Sequence, residues 1–171
     1  MKKLTTFAVA MAMAMTAALP AVASTESESS IVDIVLADDG EFDVLQAAVI
    51  EAGLVEALNG DAKLRVFAPT DAAFVVTFEG ILGGPLTEQD VIDFVEAGGV
   101  DAALGTGSLA NILTYHVTVG HRKDVLSQRS YLTLNGERVT RSELVAAGVS
   151  TENIFASNGI INVLTEAVLI P

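Results

Sequence analysis

The stretch RVFAPTDAAF, residues 65–74, decides the reading of this chain. Ala62 to Ala68 alternates as a strand, with Leu64, Val66 and Ala68 on one side and Phe67 on the other. Pro69 closes it, because proline has no N–H for a strand ladder and holds the residue before it extended. Thr70 or Asp71 can then accept from the free N–H groups of a following helix, and a carboxylate there also meets the positive end of the helix dipole. Pro-Thr-Asp is thus a strand-to-helix corner.

Upstream, Ile31, Ile34 and Val35 fall on one helical face. Asp43 with Gln46 has the form of a capping box, and Phe42 can staple against Ala47, so a helix is expected from about 44 to 52. Leu54 to Leu58 adds a short turn, closed by Asn59-Gly60. Downstream, Thr87 with Asp90 forms a second capping box, followed by a helix that buries Val91, Ile92, Phe94 and Val95 and stops at Gly98-Gly99. After a glycine-rich loop, Ser108 is placed to cap a helix carrying Leu109, Ile112, Leu113 and His116. The period then becomes two. Tyr131 to Leu134, Asn135-Gly136 and Glu137 to Arg141 read as a hairpin, and strands 154–156 and 160–164 flank Asn158-Gly159. Helices early, strands late and one early strand indicate an α+β domain with a mostly antiparallel sheet.

Residues 1–23 carry Lys2 and Lys3, an uncharged run and the small-residue pattern Ala21-Val22-Ala23, and are read as a signal peptide cut after Ala23. An uncleaved anchor is the rival reading, since Leu4 to Thr25 holds no ionised side chain. Residues 24–30 are expected to be a flexible lead-in and 31–171 one domain, in a protein that is secreted or periplasmic with no further membrane segment. The chain has no cysteine, which excludes disulfides, a thiolate metal site and a cysteine nucleophile. Cleavage would leave 22 acids against 7 bases, a net charge of −15, and such a surface repels nucleic acid. Ser24 to Ala62 holds ten acids and no Lys or Arg, whereas five of those seven bases lie between 122 and 141. The plain reading of that asymmetry is an acidic protein with a locally mixed face. The sharper one is a partner-docking face made by Arg122, Lys123, Arg129, Tyr131, Arg138 and Arg141.

Three segments together resemble the fasciclin-like domain: VFAPTDAAF at 66–74, NILTYHV at 111–117 and NGIINVLTEAVLIP at 158–171. The similarity covers about residues 28–171. It implies a compact sandwich of short strands wedged with several helices, exported and used in adhesion or recognition, and it does not imply an enzyme. Thr70, Asp71, Tyr115, His116, Asn158 and Gly159 belong to the matching segments. Asn162 stands where relatives often carry His, and Thr165 where they often carry Asp.

His116 and Asp71 could serve a hydrolase, yet the sequence has no G-x-S-x-G elbow, and the structural reading gives His116 a buried ring satisfied by Asp71, Thr70 or backbone. The acids of Asp38 to Asp43 lack EF-hand spacing, and His121 has only Asp124 near it, so no metal or other cofactor is expected. The expected partner is a protein or polysaccharide at a cell surface, bound by a monomer or a weakly self-associating chain. A small-molecule or lipid carrier is the alternative, and it requires a cavity.

Overall fold

The computed structural model describes residues 29–37, 40–120 and 124–171. The signal segment 1–23, most of the lead-in, Asp38, Asp39, His121, Arg122 and Lys123 lie outside the described residues. The elements in chain order are α1 (Ile31–Val35), α2 (Asp43–Glu51), α3 (Val55–Leu58), β1 (Leu64–Pro69), α4 (Asp71–Leu82), α5 (Glu88–Glu96) and α6 (Gly99–Leu104). They continue with α7 (Ser108–Tyr115), β2 (Val117–Val119), β3 (Ser130–Leu132), β4 (Arg138–Thr140), α8 (Arg141–Ala146), β5 (Ile154–Ala156) and β6 (Gly159–Leu164).

The architecture is α+β, with a four-stranded sheet in the order β2-β1-β6-β5 and a two-stranded sheet formed by β3 and β4. The central pair β1–β6 is parallel, from Leu64 opposite Gly159 to Pro69 opposite Leu164, and the other pairs are antiparallel. A bridge between Thr118 and Thr133 joins the hairpin to β2. β1 is buried throughout because it is covered on both faces. Leu64, Val66 and Ala68 enter the larger core with α1, α2, α4, α5 and α7, while Phe67 enters a second core with Tyr115, Val125, Tyr131, Val139 and Leu144. The central sheet therefore separates a helical layer from the hairpin and α8.

Local sequence accounts for several boundaries. Ser30 and Asp33 form a capping box on α1, as Thr87 and Asp90 do on α5. Ordered packing reaches back to Ser29, whose carbonyl accepts from Ser157 N–H. Two helices stand where none was expected. Gly99 to Leu104 forms α6 in place of a glycine-rich loop, and Gly99 is required because a Cβ there would lie 2.5 Å from the Phe94 ring. Arg141 opens α8 instead of ending a strand, because Thr140 and Glu143 close a capping box around the helix start.

Two expected caps are replaced by distant ones. α2 has no side-chain cap from Phe42 or Asp43, and α7 has none from Ser108. The α7 N-terminus is held by Asp101, which accepts from Gly107 N–H at 2.8 Å and Leu109 N–H at 2.9 Å. Those N–H bonds hold the Asp101 carboxyl below the usual carboxylate range.

Candidate functional site

The Pro-Thr-Asp corner lies where three helices converge. Thr70 caps α4, its hydroxyl accepting from Ala73 N–H at 3.3 Å. Asp71, buried, turns its carboxylate to the start of α2 and accepts from Asp43 N–H at 3.2 Å and Val44 N–H at 2.9 Å. In return, Asp71 N–H donates to the carbonyl of Glu41 at 3.2 Å. Asp43, Asp71 and Glu88 are the first residues of α2, α4 and α5, and their carboxylate oxygens lie within 4.8 Å of one another. Three positive helix ends meet there, and an acid at each first position answers the combined field. The crowding still raises the Glu88 carboxyl, first through desolvation and then through Asp71 and Asp43.

His116 does not bond Asp71, which corrects one of the contacts the sequence suggested. Its ring is 2% exposed and bonded by backbone on both sides. Nδ1–H donates to Ile112 O at 2.8 Å, and Nε2 accepts from Leu169 N–H at 3.0 Å. Those partners fix the tautomer, since a carbonyl can only accept and an N–H can only donate. The ring thus pins the C-terminal segment to α7, assisted by Thr77, whose hydroxyl accepts from Val168 N–H at 2.9 Å. A buried imidazole with both nitrogens so engaged has none left for a proton relay, and the hydrolase reading of His116 falls with it.

Burial pushes the His116 pKa down to about 4, against a partial rise from the Ile112 carbonyl bond. The unfolded chain, with an imidazole near 6.5, binds a proton that the folded chain refuses between those two values. Stability from this group is therefore fully present above pH 6.5 and is lost as pH falls to about 4, amounting to about 3 kcal/mol. Urea midpoints of the native chain and His116→Gln should converge across that window. A gap that stays constant from pH 7 to pH 4 contradicts the assignment.

Asn158 is a buried strut as well as a turn residue. Its Oδ1 accepts from Ile31 N–H at 2.8 Å, while Nδ2 donates to Leu58 O at 2.8 Å and Gly60 O at 3.2 Å. Tyr115 is buried and donates from its hydroxyl to Arg138 O at 3.3 Å. Asn162, fully buried, accepts from Arg65 Nη1 and donates to Ser150 O, Glu152 O and Asn153 Oδ1. Thr165 donates from its hydroxyl to Gly148 O at 3.2 Å. Arg65 is the residue that sequence reasoning missed. Its signal was position, since it shares the face of Phe67 on a strand buried on both sides.

The basic segment is only partly a surface. Tyr131 does not belong to it: the ring is buried against Phe67 at 6.0 Å between centroids, and the hydroxyl donates to Val125 O at 2.6 Å. Hairpin alternation turns Tyr131 and its partner Val139 inward and leaves Leu132 and its partner Arg138 exposed. Arg129 and Arg141 are exposed beside them, joined by Arg141 N–H donating to Arg129 O at 2.9 Å. Val119 and Leu134 extend the same outer surface, at 73% and 43% exposure. Elsewhere, an apolar cavity lined by Phe74, Phe78, Val95, Ile112 and Val168 among others measures about 10 Å³, the size of one water, and gives the carrier reading no ligand-sized room at that place.

Fold and site together define a small α+β domain whose signature polar groups hold its own segments together. The chain belongs to the fasciclin domain family, whose model matches residues 40–171. It is 33% identical over 156 residues to the protein sll1483 of Synechocystis sp., covering 87% of this chain and 78% of that one. It is 30% identical over 147 residues to the uncharacterized protein sll1735 of the same organism, covering 82% of this chain and 97% of that one. Transforming growth factor-beta-induced protein ig-h3 of Sus scrofa is 30% identical over 116 residues, which cover 66% of this chain and 16% of ig-h3. No helix among the described residues is long and apolar enough to cross a membrane.

Proposed function

We propose that this protein is an exported, non-enzymatic adhesion or recognition module that binds a cell-surface or extracellular macromolecule. The observation that carries the reading is the inward commitment of the signature polar groups: Asp71, His116 and Asn158 all spend their bonding capacity on backbone of other segments. Recognition then falls to the outer faces of a rigid scaffold, where loops and strand surfaces are the ordinary carriers of binding. Among those faces, the hairpin bearing Arg129, Arg138 and Arg141 beside Leu132 offers cationic and apolar groups together on a chain of net charge −13.

Such a face selects an acidic partner and speeds its capture. With the chain from Ser24 onward as bait against envelope and culture fractions, Arg129→Glu, Arg138→Glu and Arg141→Glu together should weaken capture roughly tenfold or more at low salt, with the loss shrinking as salt rises. Capture that is unchanged by the triple reversal assigns recognition to another face. Export with removal of residues 1–23 is part of the same reading, and the mature protein in those fractions should begin at Ser24.

A further inference from the structure

Residues 167–171 follow β6 outside any helix or strand. Their backbone is tied to side chains instead of a ladder: Val168 N–H donates to Thr77 Oγ1 at 2.9 Å and Leu169 N–H to His116 Nε2 at 3.0 Å. Val168 enters the larger core and Leu169 the second, so this strap touches both. Val168 and the exposed Ile170 also wall the small apolar cavity, together with Phe74 and Phe78 of α4 and Ile112 and Leu113 of α7. Lifting the strap turns that cavity into an open apolar groove.

The two anchors differ in kind. Thr77 is oriented by donating its own hydrogen to Ala73 O at 2.8 Å, and its oxygen accepts at any pH. His116 accepts only while Nε2 carries no proton, because Nδ1–H is already given to Ile112 O. A proton on Nε2 sets one donor against another at Leu169 and leaves a cation without water. Withdrawal of the strap relieves both, since it opens Nε2 to solvent. Titratable groups on the surrounding elements are turned elsewhere. Arg65 of β1 bonds Asn162, and Tyr115 donates to Arg138 O. On α4, Asp71 caps α2 and Glu79 accepts from Leu86 N–H at 3.0 Å, while Glu166 ahead of the strap is exposed. Burial and the Ile112 bond, and no charge among the described residues, set the proton affinity of the ring.

We propose that residues 167–171 form an acid-released strap: protonation of His116 at Nε2 detaches Leu169 and with it Val168, uncovering the apolar groove on α4 and α7 while the central sheet stays paired. Each release takes up one proton. Its equilibrium constant therefore rises about tenfold per pH unit as pH falls from 6.5 to about 4, and not above that window. The device lies apart from the hairpin face and holds whether or not that face binds a partner.

Amide hydrogen exchange of the native protein, read by NMR between pH 7 and pH 4 and corrected for intrinsic rates, tests it. Protection of Val168 and Leu169 should fall roughly a hundredfold across that range and should not depend on low concentrations of urea, as expected of an opening smaller than unfolding. Amides of the β1–β6 ladder should stay better protected throughout. His116→Gln should flatten the pH profile of the strap amides. If that variant does not fold, the native profile decides. Protection of Leu169 that is level from pH 7 to pH 4, strap amides that exchange at the rate and urea dependence of the ladder, or an unchanged profile in a folded His116→Gln would each overturn the proposal.

Discussion

Gly159→Ala is expected to cost more than about 3 kcal/mol, or to leave no folded protein, through overpacking at a backbone contact. A Cβ at this position would lie 2.1 Å from the carbonyl oxygen of Leu64 and 2.8 Å from Ile31 Cδ1. The first of these is backbone in the paired strand, where Leu64 stands opposite Gly159 and donates its N–H to Asn158 O at 3.1 Å. Relief would require parting β1 from β6 at the start of the parallel ladder that divides the two cores. Gly84→Ala is the control, since nothing lies within 4 Å of a Cβ there. Denaturant midpoints in which the two variants lose similar stability would contradict the close approach.

Phe67→Ala is expected to lose about 3–5 kcal/mol, the cost of emptying a filled aromatic site. Phe67 is fully buried and meets Tyr131 edge-on at 67° between ring planes. It is the β1 residue that anchors the hairpin layer to the central sheet, so truncation removes contacts with β3 and the β6 end in one step. Phe67→Leu should cost much less, because most of the volume is kept. A truncation costing under 1 kcal/mol on the order-of-magnitude scale for surface sites would mean that the second core is not closed around this ring.

What could be read from the sequence was what neighbours in the chain decide. The Thr87–Asp90 capping box and the Asn-Gly turns at 135–136 and 158–159 depend on residues a few positions apart, and the alternation of β1 follows from its own pattern. The missing pieces depend on tertiary packing. Asp71 caps α2 from 27 positions away, so the local Asp43–Gln46 box suggested a bond that folding replaced. The short helices α6 and α8 each span 6 residues, too few for a helical period to show, and the Thr140–Glu143 capping box of the second begins inside the stretch read as a hairpin strand. Hairpin facing was misread for a similar reason. The docking-face reading puts Tyr131 outside, but a period of two admits either facing, and the bridge from Thr118 to Thr133 sets it so that Tyr131 is buried and Leu132 exposed.

The candidate site was legible in outline and in part of its wiring: Thr70 caps α4 and backbone satisfies the buried His116 ring, in place of Asp71 or Thr70. The residues singled out, Asp71, His116 and Asn158, do sit at junctions between distant segments. Sequence proximity to a signature could not say which junction each one closes. Arg65 went unnoticed because an arginine in a strand ordinarily marks an exposed face, and only the double coverage of β1 makes it interior.

The central claim is that the signature polar groups are internal struts, and the imidazole of residue 116 reports on it most directly. Nitrogen-15 chemical shifts of the His116 ring, followed by NMR from pH 7.5 downward, should show one neutral tautomer protonated at Nδ1, persisting until the pH approaches 4. A ring that titrates near 6.5, or that carries its proton on Nε2, would contradict the account.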